Sequence, residues 1–132
     1  MLGERLARAI AARDTETMGT LLADDIDFKA LTPNKFWEGH SRAEVLDVVF
    51  GSWFEESDHI DELAGVETGE AVGDTARVAY RFHITNADGP HVVEQQAYYR
   101  EADDKVSYLR IVCSGYRPLP SELSAENSFF SS

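Results

Sequence analysis

TARVAYRFHITNADGPHVVEQQAYYREADDKVSYLRIVCSG, residues 75–115, decides how the rest of the chain must be arranged. Apolar and polar side chains alternate through TARVAYRFHIT, HVVEQQAYYRE and KVSYLRIVCSG, the period of strands with one covered face. NADG, residues 86–89, and the pair Asp103–Asp104 interrupt the alternation with residues that favour turns. The stretch therefore reads as three consecutive antiparallel strands. If NADG is a four-residue loop, Phe82 faces Val93, Tyr80 faces Gln95, Val78 faces Ala97 and Ala76 faces Tyr99. The other face then sets Arg81 against Glu94 and Arg77 against Tyr98, and the cross-strand ion pair supports this register. If Asp103–Asp104 is a two-residue turn, Tyr99 faces Tyr108, Ala97 faces Arg110, Gln95 faces Val112 and Val93 faces Ser114.

One face of the meander then carries Val78, Tyr80, Phe82, Val93, Gln95, Tyr99, Tyr108, Arg110, Val112 and Ser114. The other carries Arg77, Arg81, His83, Glu94, Gln96, Tyr98, Leu109, Ile111 and Cys113. The first is the more apolar on its first strand and is assigned to the interior. A bulge would reverse part of this, because one residue of slip exchanges the faces.

Upstream the period is helical. Leu6, Ala9, Ile10 and Arg13 share one helix face; Asp14 and Thr15 read as a cap before a second helix with Met18, Leu21 and Leu22. Ile26–Leu31 reads as a short strand and TPNKFWEGH as a loop. Ser41 with Glu44 three residues later forms a capping box, opening a helix whose Leu46, Val49, Phe50 and Trp53 make an apolar stripe. HIDELAGVETGEAVGD reads as a further strand, with glycines that predict bends or bulges. Helices early and a meander late predict an α+β domain over residues 1–117, a curved antiparallel sheet closed by three N-terminal helices. Residues 118–132 read as a tail, partly disordered or wrapping the surface.

The chain has 132 residues, a size for one domain. With 24 acidic against 12 basic residues its net charge is -12, which disfavours nucleic acid as a partner. No apolar run approaches the ~18 residues of a membrane span. The charged N-terminus lacks a signal peptide's apolar block, and one cysteine allows no internal disulfide, so a cytoplasmic location is expected. No histidines and acids show metal-ligand spacing, and neither metal nor cofactor is expected.

RLARAIAARDTETMGTLLADDIDFKAL, WEGHSRAEVLDVVFGSW and the closing meander together resemble the nuclear transport factor 2-like superfamily, and within it the SnoaL-like relatives of polyketide cyclases and ketosteroid isomerases. The resemblance covers residues 4 to about 117. It implies a cone-shaped fold, a pocket between sheet and helices, cofactor-free chemistry or simple ligand binding, and homodimers through the outer sheet face. The catalytic aspartate of ketosteroid isomerases falls at Ala30 and their helix tyrosine at Leu6, so that apparatus is absent. An aspartate that polyketide cyclases carry near the last strand's end falls at Ser114, and a tryptophan falls near Arg110.

The candidates follow from the inward face. Arg110, with Tyr80, Tyr99 and Gln95, would polarise a carbonyl or enolate oxygen, since a guanidinium is always charged and donates in a fork. Arg110 could instead be structural, paired with an acid from a helix or the tail. The tyrosines could equally be amphipathic core residues. His40, near the pocket mouth, is the candidate proton carrier. Phe28, Trp37, Phe50, Trp53, Gln95, Tyr108 and Ser114 are expected to line the pocket. His83 is placed outside, His59, His91 and Asp27 are expected to be exposed, and Cys113 reads as a small buried residue in a dimer seam rather than a nucleophile. Two functions remain: a cofactor-independent isomerase, cyclase, dehydratase or hydrolase on a hydrophobic small molecule, or a non-catalytic binding or assembly module.

Overall fold

The computed structural model describes residues 2–119. Most of the expected tail lies outside the described residues. Two short helices, α1 (Leu2–Ala11) and α2 (Thr15–Leu21), lead into β1 (Leu22–Thr32) and β2 (Lys35–Gly39). Helix α3 (Arg42–Leu46) follows and widens into a π-wound segment, Asp47–Trp53. Then come β3 (His59–Val72), β4 (Thr75–Asn86), β5 (Gly89–Ala102), β6 (Lys105–Cys113) and a short β7 (Arg117–Pro118).

The strands form one sheet in the order β2-β1-β6-β5-β4-β3, with β7 on β5. All pairs are antiparallel except β1 with β6. Helix α1 lies over β3 and β4, and α3 lies over β1. The buried core between them includes Leu6, Ile10, Met18, Phe28, Val49 and Phe82. The α+β cone expected from the sequence is the observed architecture.

Local chemistry explains the element ends. The Asp14 carboxylate accepts from the Thr17 N–H (3.0 Å) and caps α2. The Ser41 hydroxyl accepts from the Glu44 N–H (3.2 Å), while the Glu44 carboxylate accepts from the His40 N–H (2.8 Å), so the capping box reaches one residue further back. KFWEG, expected within a loop, pairs with β1 as a hairpin, Trp37 opposite Ala30. The glycine-rich β3 does shift register against β4 at three places. Bulges of this kind bend a strand and give the sheet its curvature.

The β4–β5 register is as the turn predicted, with Tyr80 opposite Gln95, Phe82 opposite Val93 and Arg81 opposite Glu94. The β5–β6 register is not. Asp103 and Asp104 form the tight turn with φ of 54° and 62°, and Ala102 pairs with Lys105. The pairing then jumps from Glu101–Val106 to Arg100–Tyr108. Ser107 is the extra residue of a β-bulge, and every later side chain changes face. Tyr99 therefore meets Leu109, Ala97 meets Ile111 and Gln95 meets Cys113. Burial supplies the reason. The bulge puts Val106, Leu109 and Ile111 all inside, whereas the unbulged register would bury Arg110 with the polar end of Tyr108.

Candidate functional site

At the centre of the inner face, β5, β4 and β6 bring Gln95, Tyr80 and Cys113 into one cross-strand row. Gln95 is fully buried, and its carbonyl oxygen accepts from the Tyr80 hydroxyl at 2.7 Å. Burial, with the neighbouring Cys113 adding to it, pushes the Tyr80 phenol far above its ordinary value of 10.0. Tyr80 thus stays a neutral donor and is no base. Its bond polarises the Gln95 amide and strengthens the N–H groups at the other end. Gln95 Nε2 is buried and has no partner. The adjoining row, Ala30, Ile111, Ala97 and Val78, sets two alanines beside it.

The helical side contributes Trp53, delivered by the last turn of the π segment, where the Phe54 N–H bonds the Val49 carbonyl five residues back. The Trp53 ring packs on Phe28 and edge-on to Trp37, both at 6.1 Å. Its indole Nε1 is also buried without a partner. Trp37 Nε1 donates to the Thr32 hydroxyl at 2.8 Å, and Lys35 lies over the Trp37 ring. Phe50 packs half-buried against the same core.

A latch that the sequence did not reveal holds this wall. The Tyr116 hydroxyl lies 2.6 Å from the Trp53 carbonyl and 3.2 Å from the Asp58 carboxylate. Asp58 is buried and also accepts from the Glu55 N–H (3.2 Å) and Asn86 Nδ2 (3.1 Å). Arg13, at the left-handed φ of 53°, donates to the carbonyls of Phe54, Glu55 and Asp58. Burial first, then the Asp58 charge, raises the Tyr116 phenol well above its ordinary value. Helical spacing set Arg13 beside Leu6 and Ile10, but no periodicity marks Asp58 or Tyr116, whose partners are distant in sequence.

The structure thus brings together Tyr80, Gln95, Phe28, Trp37, Phe50 and Trp53 and separates the rest. Arg110 sits on the outer face. It donates to the Asp27 carbonyl (3.0 Å), pairs with the Asp27 carboxylate (3.2 Å) and stacks on Tyr108 (4.0 Å). The Arg110 hydrogen bond holds the Asp27 carboxyl below its ordinary value of 3.8. The structural alternative for Arg110 is therefore the observed one, with the acid on β1 rather than a helix or the tail. Tyr108 lies between Arg110 and Arg100 on the same outer face. Tyr99 is buried, but its hydroxyl accepts from the Gly3 N–H (3.1 Å) and is committed to α1. A Cβ at position 3 would lie 2.8 Å from that ring, so glycine permits the approach.

His40 is 71 % exposed beside Glu38 and faces solvent. The Ser114 hydroxyl accepts from the Glu94 N–H and donates to the Gly115 carbonyl, closing the end of β6. Cys113, expected outside, is half-buried on the inner face. His91, expected to be exposed, is half-buried against Tyr116. His83 is outside as expected, paired with Glu62. An open cleft of about 360 Å³ lies on the outer face, lined by Gly65, Glu67, Ala79, Arg81 and Glu94 among others. Among the described residues no group of three His, Cys, Asp or Glu side chains could hold a metal ion.

No family model and no curated protein matches this sequence. Solved structures do match. A candidate isomerase from Rhodopseudomonas palustris superposes with a TM-score of 0.62 at 22 % identity, over 85 % of each chain. A candidate SnoaL-like polyketide cyclase from Mesorhizobium loti gives 0.62 at 15 % identity, over 83 % of this chain and 94 % of the other. An LEH-like epoxide hydrolase from M. tuberculosis gives 0.62 at 11 % identity, over 86 % and 80 %. The likeness is one of fold.

Proposed function

We propose that this chain, which shares its fold with candidate isomerases, candidate polyketide cyclases and an epoxide hydrolase, takes a hydrophobic small molecule into its cone. There it acts without a cofactor as an isomerase, cyclase, dehydratase or hydrolase. The observation that carries this reading is the buried Tyr80–Gln95 pair, whose free amide N–H has no partner in the protein. An unsatisfied buried donor is costly, and a site that keeps one is built to receive an acceptor. The pair would hold a carbonyl or enolate oxygen and stabilise charge that develops on it. Arg110 and His40 have no part in this, since both lie away from the interior.

The second reading, a ligand-binding module without chemistry, has its own support. Asp58 is the buried carboxylate among the described residues, and its oxygens are taken up by three donors. The interior then supplies donors but no free acid-base group. Native mass spectrometry of the protein purified from its own host tests the site. A co-purified apolar molecule supports it; matched-mass empty protein, with no small molecule perturbing the Trp53 resonances, overturns it.

The protein is read as a cytoplasmic homodimer joined through the outer sheet face. Leu31, Val112 and Tyr98 are exposed there on adjacent strands. The flanking Lys29, Arg110, Asp27 and Glu94 mix both signs, which suits a two-fold partner. None of the described helices is long and apolar enough to cross a membrane.

A further inference from the structure

We propose that residues 50–53, the last four of the π segment, are a lid on the helical wall of the cone, tied shut by the Tyr116 hydroxyl. The small-molecule reading above supplies only what would pass the lid; the movement belongs to the free protein. The residues that bracket the lid are fixed. Val49 and Phe54 are fully buried, and the Phe54 N–H bonds the Val49 carbonyl at 2.9 Å. That five-residue step closes the backbone beneath the lid, so residues 50–53 hang as a loop between two anchors. Gly51 and Ser52 at the tip are exposed, and a Cβ at Gly51 would meet no atom within 4 Å. Phe50 and Trp53 at the ends are half-buried, and the Trp53 ring covers Phe28, which has no exposure. Swinging the loop outward uncovers Phe28 without drawing either anchor from the core.

The tie comes from a post that does not move with the lid. The Tyr116 hydroxyl donates to the Trp53 carbonyl at 2.6 Å, while its ring stacks on the Phe54 anchor. On either side of Tyr116, the Ser114 N–H donates to the Glu94 carbonyl (2.9 Å) and the Leu119 N–H to the Pro90 carbonyl (2.8 Å), both on β5. Gly115, at φ 75°, lies so near the β1–β2 turn that a Cβ would stand 2.7 Å from the Pro33 ring. The shut position also has a fault: the Trp53 indole N–H is buried without a partner. Water meets that donor once the loop swings out, and an unmet buried donor costs about as much as one neutral hydrogen bond returns. The Trp53 carbonyl, at a helix end, can likewise take water in place of Tyr116. Ring packing on Phe28 and Trp37 then leaves the shut state the major one and the open state a minor one.

The test is hydrogen exchange of the full chain, followed in proton–nitrogen spectra at low and rising urea. The Trp53 indole N–H is expected to exchange through a local opening that urea hardly changes, while the Phe54 amide and the amides of β4 and β5 exchange far more slowly. The Trp37 indole, bonded to Thr32, is the internal control. Tyr116→Phe keeps the ring on Phe54 and removes the tie; it should speed Trp53 indole exchange roughly three- to tenfold over the control and leave the ratio of the Phe54 amide to the β4–β5 amides unchanged. Gly51→Ala, at an exposed position with room for the methyl, should slow the same exchange roughly two- to fivefold, because alanine restricts the open loop. Three results overturn the lid: Trp53 exchanging only together with the β4 and β5 amides, Tyr116→Phe accelerating every amide by one factor, or Phe54 opening in step with Trp53. No ligand enters the measurement, so its failure removes the lid alone, whereas empty protein in the mass spectrometer removes the small-molecule reading alone.

Discussion

Gln95 and Tyr80 form a closed account of buried polar atoms with one exception. The hydroxyl has its acceptor and the amide oxygen its donor, while the amide nitrogen has nothing. Tyr80→Phe leaves the whole Gln95 amide unsatisfied and should cost about 1–3 kcal/mol in denaturant unfolding. Adding Gln95→Leu removes the orphan with its partner and should return stability to the wild-type value or above it. A double variant no more stable than the single one would show that the pair is structural glue. Arg110 behaves oppositely. Its partner Asp27 is half exposed, so Arg110→Ala should change stability little, of the order of an exposed ion pair, about 0–1 kcal/mol. The depressed folded pKa of Asp27 gives the sign of the pH effect. Its contribution is present above the ordinary carboxyl value and is lost as pH falls through the lower folded value. Arg110→Ala should bring the Asp27 titration, followed by NMR, back up toward 3.8.

Elements show how far alternation carries. Between β4 and β5 the turn residues and the Arg81–Glu94 pair specify one register, and the structure has it. Between β5 and β6 the same reasoning fails at a single residue. The spacing of Val106, Leu109 and Ile111, three and then two, was the available signal: no flat strand puts all three on one face. Deleting Ser107 removes the extra residue and leaves Val106, Leu109 and Ile111 at even spacing on the inner face, so the variant should keep the Tyr99–Leu109 pairing and a cooperative thermal transition. Loss of the cooperative transition would mean that the bend made by the bulge is itself required. The turn itself is strained in a readable way, with two aspartates at positive φ. Asp104→Val should cost about 1–2 kcal/mol, since a β-branched residue resists that backbone, whereas Asp104→Gly should hold or raise the urea midpoint.

For the whole molecule, the sheet has two faces with different fates, and the bulge decides which side chains each receives. Leu31, Val112 and Tyr98 stay on the open side. If that side joins two copies, Val112→Asp should halve the mass measured by light scattering without changing the circular dichroism spectrum. An unchanged dimer would place the contact elsewhere, and a monomeric wild type would end the dimer reading. Much of the cone was legible in the residues themselves. Helical stripes, the Asp14 and Ser41 caps, the turns and the two-residue period of β4 and β5 are local, and local physics settles them. The site was legible in part: Tyr80, Gln95 and Trp53 could be named, because hairpin parity and a helix stripe put them inside. What only the tertiary structure decided is the partner of each polar atom. Arg110 meets Asp27, 83 positions away, and Tyr116 meets Trp53, 63 positions away. Such pairings depend on how the sheet curves and where the helices land. A one-residue bulge is invisible to a period of two until the burial of Leu109 and Ile111 is weighed against that of Arg110.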